Sequence, residues 1–214
     1  MGEIIMSEQL VFSLDRLLRW IIKVFWLHVL IIGFSILGLF IAGLFPAIVA
    51  ALSVSKKWLD QEEFSIAKEF RKVYFQEFFK TNLLGWVFAL IGFVLYINYT
   101  VMVQMGDQLS VIVVFAYYFV IFVYMTVLAW AFPLYVHTKE RLGTLIKNAF
   151  IMGVTFLPRT IGIFVGVFII LYISLSIPTM LLFFTGSLLA LYIMFITHRV
   201  FEKIAIQNRV SVED

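Results

Sequence analysis

A chain of 214 residues that is 63% hydrophobic and only 14% charged carries more apolar surface than a water-soluble core of that size can hide, since soluble domains average about 45–50% apolar and about 25% charged residues. Its formal net charge of +3 lies in short clusters beside apolar blocks. That is the flanking pattern of membrane helices and not the dense basic stripe of a nucleic-acid reader, so the expected partner is the lipid bilayer and nucleic acid is excluded. The absence of cysteine also excludes a disulfide framework, a thiolate metal site and a Cys nucleophile.

The N-terminal segment carries Glu3 and Glu8 where a signal peptide would carry a basic region. The apolar stretch behind it exceeds the usual length of about 7–15 residues, so it is read as retained. Residues 10–23 place Leu14, Leu17, Leu18 and Ile21 on one helical face and Arg16, Arg19 and Lys23 on the other, the pattern of an interfacial helix. The first apolar block, residues 24–54, would be about 45 Å long as one helix, against a hydrocarbon core of about 30 Å. Gly38, Gly43 and Pro46 interrupt it. A helix ending near Gly43 and a second one restarting at Pro46 are therefore predicted, as a hairpin or a re-entrant element.

Residues 65–80 form the next amphipathic stretch, with Ile66, Phe70, Val73, Tyr74 and Phe78 facing one way and Lys68, Arg71 and Lys72 the other. It is expected to lie flat at the membrane surface, its apolar face in lipid. The blocks 83–103 and 109–136 each fit one span, joined by a polar turn near Asp107. A third amphipathic stretch, 141–157, then leads into the block 160–197, which is about two spans long and is split near Ser176–Thr179 by Pro178. The expected fold is an all-α membrane protein of five to six membrane-embedded helices with interfacial amphipathic helices. The chain forms one membrane domain over residues 1–214, divisible into repeat units 10–58, 64–139 and 141–199. No Lys or Arg lies in the turns near Gly43, Asp107 or Pro178. With the first block folded back, every basic residue sits on one side, which the positive-inside rule makes cytoplasmic, both termini included.

The stretch Gly43-Leu44-Phe45-Pro46-Ala47, then Lys57-Trp58, then Lys80-Thr81-Asn82 with Gly85, resembles the YesL-like family of bacterial integral membrane proteins. Phe132-Pro133-Leu134, Asn148-Ala149 and Leu157-Pro158-Arg159 resemble its second half. The likeness runs from about Leu14 to the last helix. It implies no chemistry, because the family is a domain of unknown function, and it transfers no functional residue. What it does imply is an accessory role beside carbohydrate transport genes, with ABC-transporter subunits as partners. Gly43, Phe45, Pro46, Lys57, Trp58, Phe132 and Pro133 are taken as its structural motif.

Signatures of common enzymes are missing: there is no H-E-x-x-H, no G-x-S-x-G and no phosphate-binding Gly loop. His28, His137 and His198 are isolated and read as interfacial side chains, so no metal or cofactor is expected. Trp20, Trp58 and Trp130 suit aromatic belts. No carboxylate falls inside an apolar block, and all but Asp107, in an outer turn, lie in the expected cytoplasmic segments. This argues against an ion-coupled transporter, which usually keeps an ionisable group within the membrane. Lys80, Asn82, Asn148 and Arg159 stand where amphipathic helices meet membrane helices. They are the candidate cytoplasmic-face site for a lipid headgroup or a partner, against a bland alternative of helix capping and snorkelling. The leading expectation is a non-enzymatic accessory membrane protein. The alternatives are a small transporter or channel for an uncharged solute and a lipid-binding or membrane-stress factor.

Overall fold

Apolar blocks of this length can satisfy their backbone groups inside a membrane only as helices, and helices are what form. The computed structural model describes the backbone of residues 2–213 and the side chains of residues 14–106 and 108–204. In chain order the helices are α1 (Gly2–Leu37), α2 (Leu44–Leu59), α3 (Ile66–Gln76), α4 (Phe78–Met105), α5 (Val111–Thr138), α6 (Leu142–Thr155), α7 (Leu157–Ser176), α8 (Pro178–Phe183) and α9 (Thr185–Glu213). One 3-10 turn, Gly106–Gln108, joins α4 to α5, and no strand occurs among the described residues. Four segments are long and apolar enough to cross a membrane: Leu14–Leu37, Phe78–Met105, Val111–Thr138 and Leu157–Ser176.

The first apolar block does break, but α1 stops at Leu37 and α2 begins at Leu44. Between them Leu39 and Phe40 adopt left-handed backbone angles, costly for bulky side chains. They are held by hydrogen bonds from Phe40 N–H to the Ser35 carbonyl (2.8 Å) and from Ala42 N–H to the Gly38 carbonyl (3.0 Å). Gly38 and Gly43 approach so closely that a Cβ on Gly38 would strike the Gly43 backbone. Pro46 sits in the first turn of α2, where its missing N–H costs nothing, and it is buried. The place of this turn differs from expectation. It lies not with the Asp107 and Pro178 turns but beside the start of α4, because Asn82 Nδ2 donates to the Ala42 carbonyl (2.8 Å) and Tyr74 Oη donates to the Phe34 carbonyl (3.0 Å). Residues 10–23, expected as an interfacial helix, are continuous with the rest of α1.

α2 is the centre of the molecule. Ala47, Val49, Ala50, Ala51, Leu52 and Val54 are all at most 2% exposed. The helix packs on α1, α3, α4, α5 and α9. At its start the Phe45 ring stacks on Phe132 of α5 (6.3 Å between centroids, 8° between planes) and covers Gly85 of α4 so closely that a Cβ there would collide with it. At its end Trp58 meets Trp20 of α1 edge-on at 5.7 Å.

α3 overturns the expectation of a lipid-facing apolar side. Phe70 is fully buried and Tyr74 nearly so, both against Phe34 of α1 (5.3 and 4.9 Å). An apolar stripe too narrow for a core helix is wide enough for one side of a helix clamped on α1 and α2, while Lys68, Arg71 and Lys72 stay exposed. Trp130 is likewise no belt residue. It is fully buried, with its indole N–H donating to Thr160 Oγ1 at 2.9 Å.

Candidate functional site at the charged end

Where α3 passes into α4 the helix bends at Glu77, whose backbone N–H still reaches the Val73 carbonyl and whose own carbonyl accepts from Thr81. The bend aims the Glu77 side chain inward, leaving it 8% exposed. Its two oxygens are both engaged from the end of α5. Tyr135 Oη donates to Oε2 and Lys139 Nζ to Oε1, each at 2.7 Å. Burial opposes the charged carboxylate, but the bonds from Lys139 and Tyr135 and the charges of Lys139 and Lys80 outweigh it, so the Glu77 pKa lies below its ordinary value. Lys139 reaches Glu77 because it caps α5 in the left-handed conformation (φ 51°, ψ 31°).

Beside this elbow lies a cavity of about 370 Å³ bounded by α4, α5, the Lys139–Arg141 connection and α6. Lys80, Lys139 and Arg141 give it three cations, Tyr135 and Glu140 line it with them, and leucines including Leu84 and Leu145 form its floor. Glu77 offsets the charge of Lys139, while Glu140 accepts from Asn148 Nδ2 at 2.8 Å and keeps its own negative charge. Lys80 and Arg141 then leave a weakly basic mouth over an apolar floor, suited to an anionic group that carries a hydrophobic portion.

The four predicted site residues are thus divided. Lys80 lines the cavity and Asn148 positions Glu140 at its wall. Asn82 is taken up by the α1–α2 turn and by the Phe78 carbonyl. Arg159 lies outside the cavity lining at the start of α7, its guanidinium 5.6 Å from the Phe156 ring and one Nη buried without a partner. Lys57 joins Glu62 (3.2 Å) and Glu69 (3.4 Å). Burial works against its charge, yet these carboxylates hold its pKa above the ordinary lysine value. The histidines are not interfacial as expected. His28 is buried and accepts from Gly186 N–H at 3.1 Å, and His198 is buried beside His137.

The family model described as "Protein of unknown function, DUF624" matches residues 24–99, from the middle of α1 through α2 and α3 into α4. Uncharacterized protein YteU of Bacillus subtilis (strain 168) is 31% identical over 90% of this chain and 88% of its own length. Uncharacterized protein YesV of the same organism is 30% identical over 88% of this chain and 91% of its own. The chain belongs to the DUF624 family. Uncharacterized protein YesL, 28% identical over 88% of the chain and 90% of its own length, is a further relative. No solved structure matches. The motif pieces that carried the resemblance meet in space, for Phe45 and Phe132 are the stacked pair that locks α2 to α5, and the DUF624 match spans the Glu77 elbow and Lys80.

Glu77, Tyr135, Lys139, Glu140 and Arg141 were not singled out by sequence. A signal for Glu77 was present: it shares the helical face of Phe70, Tyr74 and Phe78, where a lone carboxylate needs a buried partner. The partners, about 60 residues away, carry no such mark.

Proposed function

We propose that the chain is a non-enzymatic accessory protein of the bacterial cytoplasmic membrane that acts through its charged end, which faces the cytoplasm together with the C-terminus. The supporting observation is the placement of charge. Residues 24–55, 83–106, 108–136 and 160–197 contain no Asp, Glu, Lys or Arg, while ion pairs and the basic cavity gather where these blocks begin and end. Membrane subunits of a carbohydrate ABC transporter are the proposed partners, on the strength of the YesL-like resemblance. Five to six membrane-embedded helices fit this reading if α2 is counted as an embedded but non-crossing element.

A photo-crosslinking amino acid at Glu140, on the rim of the cavity, tests the proposal in cells. Mass spectrometry of the adducts is expected to find a transporter membrane subunit. Adducts with lipid alone would overturn the partner and leave a second reading. That reading is an anionic-lipid site, favoured by Lys80 and Arg141 above a leucine floor.

A further inference from the structure

A second cluster lies at the junction of α2, α5 and α9, apart from the cavity. His198 is 7% exposed, and its Nε2 is buried with no hydrogen-bond partner. That nitrogen points between two carboxylates, with Asp60 Oδ1 and Glu202 Oε1 each 3.3 Å away. Glu202 follows His198 by four residues, so the two side chains share one face of α9. Asp60 caps the C-terminal end of α2, where the helix dipole already disfavours an anion.

The hydrogen bonds behind His198 define which nitrogen carries the proton. Pro133 offers only a carbonyl to His137 Nδ1 (2.9 Å), so His137 Nδ1 is the donor and its Nε2 an acceptor in the neutral ring. His198 Nδ1 faces that acceptor at 3.4 Å and donates to it. With Nδ1 carrying a proton, the Nε2 edge of His198 faces two carboxylates. Three ligand atoms converge there, an arrangement that a metal ion, or a proton on Nε2, makes favourable.

We propose that Asp60, His198 and Glu202 bind a borderline divalent cation of the zinc class, with His137 as a positioning residue behind the imidazole. The three ligand atoms all lie within 4.8 Å of one another. In a tetrahedral zinc site with bonds of about 2.0–2.1 Å, neighbouring ligand atoms stand about 3.3–3.4 Å apart, matching both nitrogen–oxygen separations. One imidazole and two carboxylates suit such ions and leave a position for water. The Asp60 and Glu202 side chains are 29% and 59% exposed, so an ion has a path in and the carboxylates have room to close on it. The ion would fasten the end of α2 to α9, a link independent of the basic cavity and of any transporter partner.

The test uses the full chain, untagged, in detergent and stripped of metal by chelation. Titration with Co²⁺ and Zn²⁺ is expected to show one ion per chain, intense four-coordinate Co²⁺ absorption bands, and a rise in thermal stability with Zn²⁺. Glu202→Gln, at an exposed side chain that leaves folding intact, should weaken binding at least tenfold. His137→Leu should weaken it by about tenfold, as loss of a supporting hydrogen bond does, and alter the Co²⁺ spectrum. Absence of stoichiometric binding, the result expected if the site holds only a proton, overturns the proposal. Undiminished binding in the Asp60→Asn/Glu202→Gln double variant overturns it as well.

Discussion

Glu77 ties the α3–α4 bend to the end of α5 through two 2.7 Å hydrogen bonds, and its contribution carries a pH signature. A carboxyl whose pKa is lower folded than unfolded stabilises the protein above its unfolded value, about 4.3, and loses that stabilisation as pH falls through the folded value. Glu77→Gln should therefore cost about 1–2 kcal/mol near neutral pH, the low end for a bond to a buried charge because the Lys139 partner is largely solvent-exposed. Thermal unfolding in detergent should show the gap between wild type and variant closing below about pH 4. A gap constant from pH 7 to pH 3 would remove the ionised Glu77 from this account.

The helices differ in how plainly their residues announce them. Gly38, Gly43 and Pro46 marked the break between α1 and α2, and Pro178 marked the one before α8, because these residues act through their own backbone. The partner of an amphipathic face leaves no such local trace. Phe70 and Tyr74 were correctly grouped on one face, but lipid and the Phe34 side of α1 are equally apolar, so periodicity could not choose between them. The candidate site was half legible for the same reason: Lys80 stood out at a helix junction, whereas Tyr135 and Lys139 gain their role only from Glu77 across the fold. The contact with α1 implies an asymmetry within α3. Phe70→Ala should destabilise by about 3–5 kcal/mol, the usual cost of emptying a buried phenylalanine site. Replacing Lys68, Arg71 and Lys72 together with Glu should change stability by less than about 1 kcal/mol, since the helix is held by packing. Comparable losses from both changes would restore the membrane-surface helix.

Across the whole molecule, charge separates the two ends. The Gly106–Ser110 turn between α4 and α5 carries Asp107 alone, and the 177–184 connection carries no charge. The opposite ends of the same helices hold Lys80, Lys139, Glu140, Arg141 and Arg159. Because the chain has no native cysteine, single-cysteine variants report this directly. Ser110→Cys should react with a membrane-impermeant maleimide in intact cells, and Glu140→Cys only after permeabilisation. Labelling of both positions in intact cells would defeat the proposed orientation.

The hairpin of α4 and α5 has a mechanical consequence. Each helix runs 28 residues, about 42 Å at 1.5 Å per residue, against a hydrocarbon thickness of about 30 Å. Their outer halves are mostly exposed, yet Tyr117 Oη donates to the Leu95 carbonyl and Tyr124 Oη, 2.9 Å away, to that of Phe88. The two helices are thereby coupled and must lean together to absorb the mismatch. The inner end of that hairpin is the Glu77–Lys139 elbow beside the basic cavity. A thinner bilayer would then tilt the hairpin further, and the inner ends of both helices carry cavity residues, Lys80 and Leu84 on α4 and Tyr135 on α5.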